Sequence, residues 1–283
     1  PQIVLKLGYA DGIHAPGKRL SLPALVQCWK NLMLAHGLSF RAIRNAAPES
    51  QIGIASTGKL CYPHSPADEE AARQETFRLT DSDWMFTHPL VLDAVCLCRA
   101  EPEAGALCDL LSAVTPEEWD IIHAVPDFIG VNSYNGSEIA AGPDGAPVYL
   151  PRPQGFPRTA LKWPITPEIM EYGYAFLFDR YQLPLYVTEC GLSCNDHIFL
   201  DGNVHDAERI DFLHRYLLAL RRGCERADIR GFFHWSLTDN FEWHSGYGER
   251  FGLIYVDYPT QKRILKDSAF WFAQTARENG KNV

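Results

Sequence analysis

The chain has 283 residues, 35 of them acidic and 26 basic, for a formal net charge of −9 and a pI near 5.6. That balance argues against nucleic acid or an anionic membrane surface as the main partner. Hydrophobic residues make up 46% and aromatics 12%, enough for a substantial core and too many for a disordered chain. No apolar run reaches the ~18 residues that cross a bilayer. The opening "PQIVLKLGYADG" also lacks the basic, apolar, small-residue order of a secretory signal. The eight cysteines are scattered among apolar neighbours. Neither "CLC" at 96–98 nor "CGLSC" at 190–194 has a second pair at zinc spacing, so they read as reduced thiols of a cytoplasmic protein.

In chain order, a helix is predicted over about Pro23–Ala47, where Leu25, Trp29, Leu32, Leu34 and Ala35 recur near helical spacing. "QIGIA" from Gln51 reads as a strand. A second helix is expected over about Pro66–Phe86, opened by "SPADEEAA" with proline and acids in its first turn. The strand "DFIGVN" follows from Asp127, then a Gly- and Pro-rich loop from Asn135 to Trp163 and a helix over Pro167–Tyr181. The strand "PLYVT" from Pro184, a helix over Asp206–Arg226, the strand "RGFFHW" from Arg230 and a helix over Ser268–Glu278 complete the chain. Strands alternating with helices imply right-handed βαβ units and a parallel sheet.

The last three strands each run into a polar or aromatic cluster: "NSYNG" at Asn132, "TECG" at Thr188 and "HWSLTDNFEW" at His234. Ligands of parallel α/β folds bind at the carboxyl ends of the strands, so the three converge on one face. Glu189, at the end of a buried strand, has the chemistry of a nucleophile, a general acid or base, or a metal ligand. No histidine–carboxylate pattern accompanies it to support a metal. Trp235, Phe241, Trp243, Tyr247 and Phe251 crowd one short segment with Asp239, Asn240, Glu242 and His244. Aromatic faces stack on the C–H surfaces of sugar rings while carboxylates and amides bind their hydroxyls, so the mixture suits a carbohydrate pocket. The same Trp235 and Phe241 would also suit a core. A thiol mechanism through Cys190 or Cys194 lacks a histidine placed to activate either.

"YVTECG", "WSLTDNFEWHSGYGERFGLIYVDY" and "DFIGVNSY" resemble signature segments of glycoside hydrolase family 1, the retaining β-glucosidases and relatives. "GYADGIHAPG", "KWPITPE" and "GNVHDAERIDFL" fit the same pattern in order, from Gly8 to about Ala273. The resemblance implies an α/β fold of the (β/α)8 TIM-barrel type. It is present here as one domain over 1–283 that carries βα units 5–8 and the preceding helix. It makes Glu189 the nucleophile of a covalent glycosyl-enzyme intermediate, Tyr134 the tyrosine that orients it, and Asn132 a polar neighbour. It makes Trp235 the floor under the sugar, Glu242 and Trp243 contacts to its outer hydroxyls, Phe251 a pocket wall, and Trp163 the gatepost of the leaving-group site. A β-linked glucoside or related small saccharide is the implied partner, and no cofactor or metal is implied. A carboxylate at Glu242 disfavours a phosphorylated sugar.

Three departures bear on this reading. T-E-N-G of the family is T-E-C-G here, and Ser133 stands where an aromatic is common; both are expected to have small effects. The third is larger. By the spacing to Gly8-Tyr9 and "HAPG", Pro1 aligns with the proline of the family's T-x-N-E-P segment, so the general acid/base glutamate is expected just before residue 1. A half-barrel has two open edges and an uncovered face, so association with the missing N-terminal half or with itself is expected. The alternative is a non-catalytic sugar-binding or assembly module that keeps the pocket without the activity.

Overall fold

The computed structural model describes residues 1–283. A π-helical turn over Val4–Ala10 and a loop lead into helix α1 (Leu22–Ala46), with Pro23 in its first turn, where a missing N–H goes unfelt. The elements that follow are β1 (Gly53–Thr57), β2 (Cys61–Pro63), α2 (Glu69–Phe77), α3 (Pro89–Leu97), α4 (Ala106–Leu111), α5 (Pro116–Ile122) and β3 (Phe128–Asn132). Then come β4 (Ser137–Ala141), β5 (Pro147–Tyr149), α6 (Ile169–Tyr181), β6 (Leu185–Cys190), α7 (Ala207–Gly223) and β7 (Ile229–His234). A hairpin of β8 (Ile254–Asp257) and β9 (Lys262–Leu265) precedes α8 (Asp267–Arg277).

The four expected strands form one parallel sheet in the order β1-β3-β6-β7. Helical crossovers join them, as in half of a (β/α)8 barrel. Alternation divides each strand between two faces. Ile54, Ile129, Val131, Leu185 and Val187 point outward and are buried with residues of α1, α3, α6 and α7 in one core. The inner face carries Phe128 and Tyr186, edge to face with centroids 5.0 Å apart. Beside them Phe233 of the edge strand β7 is 58% exposed. No helix is long and apolar enough to cross a membrane.

Two sequence expectations need adjustment. The second helix stops at Phe77, because Arg78 turns extended and the next stretch is folded back by polar contacts such as Asp83 N to Thr80 Oγ1. The Asn135–Trp163 segment is not all loop. It contributes the β4–β5 hairpin, and β4 pairs in parallel with β2. Helices α3, α4 and α5 were not expected, although Thr115 and Glu118 cap α5 reciprocally.

One polar assembly lies in the interior, beyond the carboxyl ends of β6 and β7. Asp196, Asp206 and Asp239 are matched there by Arg209, Arg250 and Lys266. Lys266 Nζ donates to Asp239 Oδ1 at 2.8 Å and to Asp196 Oδ2 at 2.6 Å. Arg209 is paired with Asp206 and donates to Asp196 at 2.7 Å. Arg250 Nη1 donates to Asp239 Oδ2 at 2.5 Å, and the backbone N–H of Gly252 donates to Asp239 Oδ1 at 3.0 Å. Lys266 and Arg209 are fully buried. Removing one cation leaves a buried carboxylate uncompensated, so Lys266→Met is expected to destabilise the fold by about 3–5 kcal/mol. A lowered urea midpoint at unchanged slope is the measurement.

Candidate active site

The carboxyl ends of β3, β6 and β7 lie side by side, with Asn132 opposite Glu189 and Cys190 opposite His234. Along β6 Leu185 and Val187 point outward, and strict alternation would send Glu189 the same way. The pairing with β3 shifts after Val131, so that Asn132 faces Glu189 rather than Thr188. That extra residue is a bulge, and it turns Glu189 onto the face of Asn132. Thr188 Oγ1 donates to Asn132 Oδ1 at 2.7 Å. The crowding needs Gly130, where a Cβ would stand 2.6 Å from the Thr188 methyl. Gly191 serves similarly, since a Cβ there would come within 1.9 Å of the Trp235 carbonyl oxygen.

Tyr134 Oη donates to Glu189 Oε2 at 2.6 Å. Burial raises the pKa of Glu189 above the usual carboxylate range, while the hydrogen bonds from Tyr134 and Asn132 pull it down. Burial and the Glu189 charge drive the Tyr134 phenol upward, so Tyr134 remains a donor. Its backbone carbonyl accepts from Tyr216 Oη at 2.8 Å, and Tyr216 in turn accepts from Thr166 N at 3.0 Å. Ser133 points away from the cleft, buried with its hydroxyl 2.8 Å from Tyr174 Oη.

Glu242 is the second carboxylate of the cleft. Its Oε2 is shut off from solvent with no hydrogen-bond partner. Burial raises its pKa; the charges of Glu189 and Glu249 add to this, and Trp235 and His244 oppose it. Trp163, Tyr134 and Phe251 form an aromatic triangle with centroids 5.3, 6.1 and 6.4 Å apart. Phe251 is only 2% exposed and sits behind the other two. Trp235 is half-buried, whereas Trp243, Phe241 and Tyr247 are exposed, so Phe241 is not a core residue. The thiol reading fares poorly: burial pushes Cys190 well above the ordinary thiol range and Cys194 up to about 12. No group of three or more His, Cys, Asp or Glu side chains is gathered to hold a metal ion.

The structure thus brings Asn132, Tyr134 and Glu189 together beside Trp163 and Phe251, places Glu242 and Trp235 near them, and leaves Trp243 exposed. Sequence reasoning missed Thr188 and Tyr216. Thr188 stands beside Glu189 in "TECG", but Tyr216, mid-helix in α7, carries no signal of its contact with residue 134.

Because its folded pKa is raised, Glu189 favours the fold only while protonated. That contribution is complete below the unfolded pKa and is lost as pH rises through the folded one. Glu189→Gln is therefore expected to raise the melting temperature at pH 7 and to lose the advantage near pH 4, as read by calorimetry. Tyr134→Phe removes a lowering hydrogen bond, so any reaction needing ionised Glu189 should show its acid limb moved to higher pH.

The profile of the family described as glycosyl hydrolase family 1 matches residues 1–281. The chain is 32% identical over 287 residues to β-glucosidase A of Thermotoga maritima, covering 99% of this chain and 62% of that protein. It is 33% identical to a bifunctional β-D-glucosidase/β-D-fucosidase of Bifidobacterium breve, covering 94% of this chain and 60% of that one. The solved T. maritima β-glucosidase in complex with a methyl acetic acid-substituted glucoimidazole superposes with a TM-score of 0.83 at 32% identity. That match covers 99% of this chain and 62% of the solved one. The chain therefore spans about three fifths of the length of the curated relatives it matches. With a sheet, a strand-end glutamate and a profile match that agree from end to end, this chain belongs to glycosyl hydrolase family 1.

Proposed function

We propose that this chain carries the nucleophile and much of the sugar site of a retaining β-glycosidase acting on unphosphorylated β-glucosides or related small saccharides. The observation that carries the reading is the 2.6 Å bond from Tyr134 Oη to Glu189 Oε2 at the carboxyl edge of the sheet. Together with Asn132 it aims a carboxylate that no cation neutralises. In this reading Glu189 attacks the anomeric carbon as the glycosidic C–O bond breaks, giving a glycosyl ester. Water then attacks the same carbon, losing a proton to the acid/base carboxylate or to solvent, and releases the sugar with its configuration retained and Glu189 as a carboxylate. Trp235 is the floor beneath the sugar, and Glu242 accepts hydrogen bonds from its outer hydroxyls. Two further negative groups nearby, Glu189 and Glu249, make the site hostile to a phosphate.

A leaving group that needs protonation requires a second carboxyl, about 5–5.5 Å from the nucleophile in retaining enzymes. Glu242, in this reading, is committed to the sugar. We assign the proton donor to the portion of the relatives that this chain does not match. The bare inner face of the sheet and its two open edges support a complementary set of strands, in the same or another polypeptide. Activated aryl glycosides, which need no proton, are then the substrates for this chain by itself.

A 2-deoxy-2-fluoroglucoside with a dinitrophenolate leaving group tests the reading. The expected outcome is a covalent adduct on the peptide containing Glu189, seen by mass spectrometry and absent from Glu189→Gln. Reversible binding without an adduct would instead establish a non-catalytic sugar-binding module.

A further inference from the structure

His14 and His244 lie 230 residues apart in sequence, and the fold brings their rings together. His14 Nε2 is 3.0 Å from His244 Nδ1. The His14 ring also stacks on the Trp243 indole, with centroids 5.8 Å apart and planes 21° from parallel.

The two sides of this contact are not equally fixed. His14 sits in a loop tied back to the first helical turn: its N–H donates to Leu7 O at 3.0 Å, and Gly17 N donates to His14 O at 2.7 Å. The loop presses on Gly8 so closely that a Cβ there would stand 2.7 Å from Ala15 O. On the other side, the Glu242–Gly246 turn closes on itself, through Glu242 N to Gly246 O at 2.7 Å and Gly246 N to Trp243 O at 3.1 Å. Trp243 holds φ +45° in that turn, a left-handed conformation that a bulky residue keeps only when its surroundings impose it. With 59% of its surface open, little else packs on the indole.

We propose that His14 is a positioning residue for the glycone-contacting turn. By stacking on Trp243 and sharing a proton with His244, it fixes the strained turn that presents Glu242 and Trp243 to the sugar. The inference rests on reading Glu242 and Trp243 as sugar contacts. An aromatic stack and one hydrogen bond are each modest, and together they are enough to hold a short turn in a single arrangement.

The test uses glucoimidazole as probe, with affinity measured by calorimetry on the purified chain. His14→Ala is expected to weaken binding about tenfold, or about 1.4 kcal/mol, with the urea midpoint unchanged. His14→Gln, whose amide can still donate to His244 Nδ1, should recover part of that loss, which a purely structural role would not produce. Affinity within twofold of wild type for His14→Ala overturns the proposal and leaves the sugar-site reading intact. Failure of the wild-type chain to bind overturns the sugar-site reading instead. Nitrogen-15 spectra of labelled histidine decide the contact in either case. The His244 Nδ1 resonance should move in His14→Ala, and an unmoved resonance overturns the proposal.

Discussion

Six interlocked charges, four of them buried, hold the loops of this cleft together. Asp196 follows β6, Asp206 and Arg209 open α7, Asp239 and Arg250 flank the aromatic segment after β7, and Lys266 leads into α8. Three anions and three cations cancel, so the complete set is tolerable in a low-dielectric interior, while any incomplete set leaves a charge stranded. The attraction is therefore close to all-or-none, and it couples segments far apart in the chain. Arg250 adjoins Phe251, and Asp239 lies three residues before Glu242. The aromatic wall and the second carboxylate are thus placed by electrostatic closure as well as by packing.

Around Glu189 the forces are deliberately opposed. Burial makes the carboxyl reluctant to ionise, and Tyr134 and Asn132 restore part of that ionisation. A fully solvated carboxylate would ionise freely but attack weakly, and a fully dry one would hold its proton. The compromise depends on Tyr134 being aimed, and Tyr216 anchors its backbone from α7. The ionisation of Glu189 is in this way tied to the docking of an outer helix.

Much of this was legible in the sequence. The four strands and the convergence of their ends follow from apolar runs bounded by turn residues, and Glu189 is conspicuous because a buried strand rarely ends on an acid. The three helices between residues 89 and 122 were missed. Their apolar content gives little helical periodicity, although "TPEE" at 115–118 carries a capping signal that deserved weight. The β4–β5 hairpin hid in a segment dominated by Gly and Pro, where composition speaks for loop. The six-charge assembly was invisible for a different reason. Its members span seventy residues, and only the fold makes neighbours of Asp196 and Lys266.

The bulge in β6 gives the site an unusual logic. Side chains of a strand obey parity, and by count from Val187 Glu189 would face the helices; the bulge absorbs Thr188 and returns Glu189 to the cleft face. The facing of this carboxylate is thereby set by strand register as much as by residue type. Deleting Thr188 would restore regular alternation after Val187 and leave the carboxylate on the cleft face, at the loss of the Thr188 hydroxyl bond to Asn132. The extra residue therefore serves the contact to Asn132 rather than the facing of Glu189.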